Sequence, residues 1–240
     1  MPLSSPSLEE ILSNYPGQDC ADYPNCEHCE RGVCIRIVSV ANLPTRFGQF
    51  RIVGFVNNKD RRDDHAAIIR GDITGKEGVL CRVHSECLTG DALGSLRCDC
   101  RDQLTTALQQ IGQLEEGILL YLRQEGRGIG LLNKLRAYAL QDHGFDTVDA
   151  NVKLGFRDDE RDYNVAAGLL RKLDVRSVRL MTNNPDKIDQ LQQHDIQVTE
   201  RVPLIIPPTP FSKRYLKTKA SRSRHMLEEP PEDLADVGEL

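Results

Sequence analysis

From residue 35 the chain alternates apolar and polar positions with the two-residue period of strands, in "CIRIVSVANLP", "FRIVGFVN", "HAAIIRGDI" and "GVLCRVH". Gly, Asn and Asp punctuate these runs, as turns require. Beyond residue 100 the period lengthens. "RDQLTTALQQIGQLEE" repeats apolar residues at helical spacing. "GILLYLRQ" reads as a short buried strand, and "GLLNKLRAYALQDHG" as a helix stopped at Gly144. Next come a helix in "ERDYNVAAGLLRKLDV", a strand in "SVRLMTNN", a helix opened by Pro185 in "PDKIDQLQQHD" and a strand in "IQVTERVPLI". Alternating strands and helices predict βαβ units and a partly parallel sheet, whereas the first half reads as antiparallel. The expected fold class is therefore α/β, a mixed sheet flanked by helices.

The two ends break the pattern. Residues 1–34 are polar, Cys-rich and weakly periodic, and read as an N-terminal extension to a main body at 35–206. Residues 207–240 read as a tail, partly disordered: "PPTPFSKRYLKTKASRSR" carries six basic residues, and "HMLEEPPEDLADVGEL" six acidic ones with no Lys or Arg. Single-sign blocks with several prolines are usually solvated.

Composition narrows the class. The 240-residue chain has net charge −5 and no Trp, which argues against a nucleic-acid surface. No apolar run approaches the roughly 20 residues of a membrane span, and the N-terminus lacks the pattern of a signal peptide. The expected compartment is the cytoplasm, where thiols stay reduced and clustered cysteines point to metal or catalysis rather than disulfides.

All eight cysteines fall between 20 and 100. Cys87, Cys98 and Cys100 lie in "SECLTGDALGSLRCDC". C-x-C places two sulfurs on one side of an extended turn, and Cys87 supplies a third if the segment loops over. Three thiolates suit a catalytic zinc with an open position; His84 as a fourth ligand would instead make the site structural, and spacing does not decide between them. Arg97 precedes the C-x-C pair and is placed to moderate the thiolate charge. C-x-C is not the usual redox spacing. Cys20, Cys26, Cys29 and Cys34 have spacing suited to a second, structural zinc, with His28 competing as a ligand.

The stretch "RVHSECLTGDALGSLRCDC" resembles the signature of the GTP cyclohydrolase II family, and the resemblance continues through "GILLYLRQEGRGIGLLNKLRAYALQD", "FDTVDANVKLGFRDDERDY", "RLMTNNPDKI" and "ERVPLI". It covers most of the chain, so 35–206 is expected to be a catalytic domain of that kind. The resemblance implies GTP as substrate, opening of the guanine imidazole ring with release of formate, and release of pyrophosphate. The implied product is 2,5-diamino-6-ribosylamino-4(3H)-pyrimidinone 5′-phosphate, at the start of riboflavin synthesis. It also implies one catalytic Zn²⁺ on Cys87, Cys98 and Cys100, Mg²⁺ with the triphosphate, and a homodimer. Neither nucleic acid nor membrane is an expected partner.

By the same resemblance the GTP site comprises Arg82, Val83, His84, Ser85, Glu86, Gln103, Glu125, Gly126, Arg127, Thr147, Thr182 and Lys187. These residue types suit a nucleotide: cations meet a triphosphate, and glycines let backbone approach a ligand. The resemblance makes Asp159 the proton acceptor and Arg161 the nucleophile toward the α-phosphate. A guanidinium that stays protonated is at least as well suited to stabilising transition-state charge. Tyr138 is implied to face the metal-side water and the guanine, and its presence favours the complete reaction. Two rivals remain: a paralogue that stops at a formamide product, and a non-catalytic zinc-binding module.

Overall fold

In the computed structural model, residues 33–59, 65–207, 209, 210, 212 and 226 are described. The proposed zinc ligands Cys20, Cys26 and Cys29 lie outside them, as does most of the tail; the fourth, Cys34, is disulfide-bonded, against the expectation of a reduced thiol available to a metal. The strands are β1 (Ile35–Thr45), β2 (Gly48–Asn57), β3 (His65–Arg70), β4 (Val79–Ser85), β5 (Gly117–Leu122), β6 (Ser177–Met181) and β7 (Gln197–Val202). They form one mixed sheet in the order β1-β2-β3-β5-β4-β6-β7. Strands β1, β2, β3 and β5 pair antiparallel, and β5, β4, β6 and β7 pair parallel, so both halves follow the sequence rhythm.

Helices cover both faces, as the parallel half requires. The helices are α1 (Cys100–Gly112), α2 (Leu131–Asp142), α3 (Thr147–Lys153), α4 (Asn164–Lys172) and α5 (Pro185–Gln193). Strand β5 shows the two-sided burial most plainly. Ile118, Leu120 and Leu122 join Leu169 and Leu170 of α4 and Leu191 of α5 in one core. Leu119 turns the other way, against Ala107 and Ile111 of α1. Burying a Leu or Ile fully contributes roughly 1.5–3 kcal/mol, so β5 and its neighbour β4 form a rigid central floor.

Element ends follow local chemistry. Gly144, at φ 95°, follows α2; its N–H bonds Gln141 and that of Phe145 bonds Leu140, the paired bonds of a Schellman stop. Pro185 opens α5, capped by the Asn184 side chain. Several elements differ from the sequence reading. α3 was not expected; Asp146 caps it by accepting from the Asp149 N–H. α4 begins at Asn164 rather than Glu160: Asp159 and Glu160 pair with Arg161 and Arg157 in the preceding loop, and Asp162 accepts from the Asn164 N–H at 2.6 Å. β7 ends at Val202, before Pro203, which has no N–H to extend a ladder.

Candidate functional site

The loops after β4 and β5 meet at the C-terminal edge of the parallel strands, where open α/β sheets place their crevices. Ser85 and Leu122 are register partners at this edge. After Ser85 the chain makes a single π-helical turn, Leu88–Ala92, capped by Cys87, whose Sγ accepts from the Gly90 N–H at 3.4 Å. Cys98 and Cys100 return at the start of α1 and bring three sulfurs together.

The Sγ atoms of Cys87, Cys98 and Cys100 all lie within 4.8 Å of one another, and Cys87 and Cys98 are 3.6 Å apart. Sulfurs bound tetrahedrally at about 2.3 Å from one zinc stand roughly 3.8 Å apart, so the trio fits that ion. Gly90 makes the approach possible: a Cβ there would sit 2.8 Å from Cys98 Sγ and 3.1 Å from Cys87 Sγ. His84 does not join the group. Its Nε2 lies 3.0 and 3.2 Å from the two Asp91 carboxylate oxygens, and burial lowers its pKa. Among the described residues no other His, Cys, Asp or Glu joins the three thiols.

A buried cation completes the cluster. Lys134 Nζ donates to Cys87 Sγ at 3.0 Å and to Glu125 Oε1 at 2.7 Å. Hydrogen bonds from Cys100 and Cys98, with the Lys134 charge, hold Cys87 far below the usual thiol range. The bond with Cys100 lowers the Cys98 thiol, but the Cys87 bond and charge and burial outweigh it and push Cys98 up to about 11. Hydrogen bonds with Cys87 and Cys98, together with burial, also raise the Cys100 thiol. Lys134 thus places a positive charge directly beside Cys87. Arg97 lines the same cleft as the three thiols, where it pairs with Asp142 at 2.5 Å and lies 4.8 Å over the Tyr138 ring.

A cleft opens beside this cluster. Of the residues expected at the site, Ser85, Glu86, Cys87, Cys98 and Cys100 line it, with Glu125, Gly126 and Arg127 from the loop after β5. Tyr138 of α2, Thr147 of α3 and Arg161 complete that set. Tyr138 Oη lies 3.3 Å from Thr89 Oγ1, and burial raises its pKa. Gly126 and Arg127 both adopt left-handed backbone, at φ 63° and 61°. For Arg127 that conformation is strained, of a kind that gathers at functional sites. Its guanidinium pairs with Asp158.

Asp159 and Arg161 form a two-pronged pair, with Arg161 Nε 2.8 and 3.1 Å from the carboxylate oxygens. Burial alone pushes the Asp159 carboxyl up, but the charge and hydrogen bonds of Arg161 outweigh it and leave it below the usual range.

Arg82, Val83, His84, Gln103, Thr182 and Lys187 are not among the residues that line this cleft. Arg82 donates to the Met181 carbonyl at 2.8 Å and to Gln103 Oε1 at 2.6 Å. Lys187 Nζ donates to the Val83 carbonyl at 2.7 Å. Thr182 is buried, and its hydroxyl accepts from the Asn184 N–H at 3.0 Å. Sequence reasoning missed Lys134 and Asp91 at the cluster, and Gln124, Gln141 and Asn151 on the cleft wall; all of them sit inside the matched motifs or next to residues named from them.

Comparison with known proteins matches this geometry to a family. The family model for GTP cyclohydrolase II matches residues 36–203. GTP cyclohydrolase-2 of Picrophilus torridus is 53% identical over 193 residues, 80% of this chain and 100% of that protein. GTP cyclohydrolase-2 of Proteus mirabilis is 55% identical over 80% of this chain and 96% of its own length. The riboflavin biosynthesis protein RibBA of Bacillus mycoides is 58% identical over 77% of this chain, which spans 46% of that longer protein. With the match running from β1 to the residue after β7 and including every element around the cleft, the chain belongs to the GTP cyclohydrolase II family.

Proposed function

We propose that the chain hydrolyses GTP to 2,5-diamino-6-ribosylamino-4(3H)-pyrimidinone 5′-phosphate, formate and pyrophosphate, the first step of riboflavin biosynthesis. Three waters are consumed. One opens the imidazole ring to a formamide, one releases C8 as formate, and one cleaves the α–β phosphate bond. The observation that carries this reading is the convergence of the thiol trio, Tyr138, Arg127 and Arg161 on one cleft.

Cys87, Cys98 and Cys100 would hold Zn²⁺ as the single catalytic metal of each subunit. When bound there, the ion supplies Lewis acidity and a water acidic near pH 7. Tyr138, kept protonated by burial, is a donor that orients the base or the formamide oxygen. Glu125 lines the GTP cleft, and its carboxylate accepts from the N–H of Leu88 at 2.7 Å and of Gly126 at 2.8 Å, locking the two loops together. Arg127 and Arg161 meet the phosphates, accompanied by Mg²⁺. Arg161, clamped to Asp159, acts by charge, since a paired guanidinium does not become a nucleophile. Ser85, Glu86, Gly126 and Thr147 shape the GTP cleft, and Arg82, Val83, His84, Gln103, Thr182 and Lys187 support it without lining it. We place the enzyme in the cytoplasm as a homodimer.

The test is incubation of the purified protein with GTP, Mg²⁺ and Zn²⁺. Formate, pyrophosphate and the diaminopyrimidine are expected together. A formamide product assigns the shorter reaction, and no turnover leaves a binding module.

A further inference from the structure

Asp91 is tied to Cys87 twice. Its backbone N–H bonds the Cys87 carbonyl at 2.6 Å, and its carboxylate accepts the Cys87 N–H at 3.0 Å. Both backbone polar groups of the first cysteine are thus satisfied by one residue four positions on. The carboxylate is itself anchored to the sheet. Tyr121 of β5 donates its hydroxyl at 2.9 Å, and His84 of β4 brings Nε2 to 3.0 and 3.2 Å. A carboxylate only accepts, so Nε2 is the protonated nitrogen. His84 and Tyr121 are register partners on adjacent parallel strands, with rings stacked at 5.5 Å. The Asp91 side chain is 6% exposed and that of His84 3%.

A buried carboxylate is expensive unless its acceptor sites are filled, and three donors fill this one. The second arm of the cluster is reached as well. Arg101, next to Cys100, donates to the Ala92 carbonyl at 2.9 Å, so the turn that Asp91 organises is stitched to the chain carrying Cys98 and Cys100.

We propose that Asp91 is the positioning residue of the thiol centre, pinning the Cys87 backbone to β4 and β5 through His84 and Tyr121 so that the three sulfurs are preorganised for one metal ion. This rests on the reading of Cys87, Cys98 and Cys100 as a metal site. Partners that hold metal ligands in place typically change affinity by about 10–100-fold when removed. The negative charge of Asp91 also favours a nearby cation, so geometry and charge predict the same sign.

The test measures Zn²⁺ affinity by chelator competition, without substrate, on wild type, Asp91→Ala, Asp91→Asn and Tyr121→Phe. Thermal unfolding of each metal-free protein runs in parallel. Asp91→Ala is expected to bind zinc about 10–100-fold more weakly. Asp91→Asn, which keeps one acceptor for the Cys87 N–H, is expected to lose less. Tyr121→Phe removes only the hydroxyl and keeps the ring stack; it is expected to lose roughly tenfold with the metal-free unfolding temperature little changed, which keeps the proposal testable if Asp91→Ala does not fold. Wild-type zinc affinity in Tyr121→Phe and Asp91→Asn overturns the assignment alone. So does a loss of affinity seen only where the metal-free protein is already unfolded. If wild type itself binds no zinc, the metal reading fails first and this assignment falls with it.

Discussion

Lys134 donates to Cys87 Sγ at 3.0 Å from a helix that exposes two of its leucines. The side chain is 10% exposed, while its neighbours Leu132 and Leu135 are 74% and 45% exposed. α2 therefore departs from an ordinary surface helix at this position: Lys134 is turned inward to the cluster while Leu132 and Leu135 face out, although Arg136 and Asp142 stay exposed.

The buried pair of Lys134 with Glu125 gives the first prediction. Lys134→Met leaves Glu125 as a buried carboxylate without its ammonium, and breaking a buried pair on one side costs about 3 kcal/mol. Unfolding in urea is expected to show a loss near that size. Adding Glu125→Gln to Lys134→Met removes the stranded charge and is expected to recover part of the loss. A double variant no better than the single would mean that the pair does not hold the loops.

A second prediction concerns Asp159 and Arg161. Asp159→Asn and Arg161→Ala are each expected to reduce GTP turnover by at least about 10²-fold, the scale of a lost electrostatic contact in a transition state, while circular dichroism stays native. pH supplies an independent readout. The folded Asp159 carboxyl lies below its ordinary value of 3.8. Its contribution to stability is therefore full above that value and is lost as pH falls through the folded pKa. Wild type is expected to be more stable than Asp159→Asn at about pH 6, with the gap closing below about pH 3.8. A gap independent of pH would detach the carboxylate from the pair.

These two predictions draw on different degrees of legibility. The strand-to-helix rhythm, the Gly144 stop and Pro185 were readable because each expresses local backbone chemistry. The thiol trio was readable because metal ligation constrains residue type and spacing. Lys134 was not: a Lys between leucines reads as a solvated position, and only the fold turns it inward. Arg82 and Lys187 show the complementary difficulty. Their charges suit a triphosphate, yet their heads bond the Met181 and Val83 carbonyls. Sequence supplies the charge but not its direction. α3 was missed because its seven residues carry too little periodicity to outweigh the surrounding loop.

Tyr138→Phe carries the third prediction. The ring packs beneath Arg97 and near Lys134, with Lys134 Nζ 5.6 Å from its centroid, and Phe preserves both contacts. The hydroxyl makes only a long contact with Thr89, at 3.3 Å, so stability is expected to change by less than about 1 kcal/mol. Turnover is expected to fall by about 10²-fold or more, as when a positioned proton donor is removed, and a formamide is expected to accumulate. Wild-type rates would return Tyr138 to a packing role.

The last prediction uses the residue that lets the sulfurs meet. Gly90 is buried and sits inside the turn between Cys87 and Cys98. A methyl group there would stand 2.8 Å from Cys98 Sγ and 3.1 Å from both Cys100 Cβ and Cys87 Sγ. Comfortable non-bonded contact begins at about 3.5 Å, and the sulfurs cannot retreat without spreading the trio. Gly90→Ala is therefore expected to reduce zinc content and formate release together, leaving most of the fold intact because the clash lies in one loop rather than in either core. Cys98→Ser is the chemical counterpart: it keeps the backbone but exchanges a soft ligand for a hydroxyl that is a poor one. Both variants are expected to lose zinc by elemental analysis and to stop releasing formate. Pyrophosphate release, which draws on Arg127 and Arg161, is expected to survive better in Cys98→Ser. Gly54→Ala is the control, since an added Cβ there meets nothing within 4 Å. Full zinc content in Gly90→Ala would show that the trio tolerates the methyl group and that the tight Gly90 contact does not define the metal site.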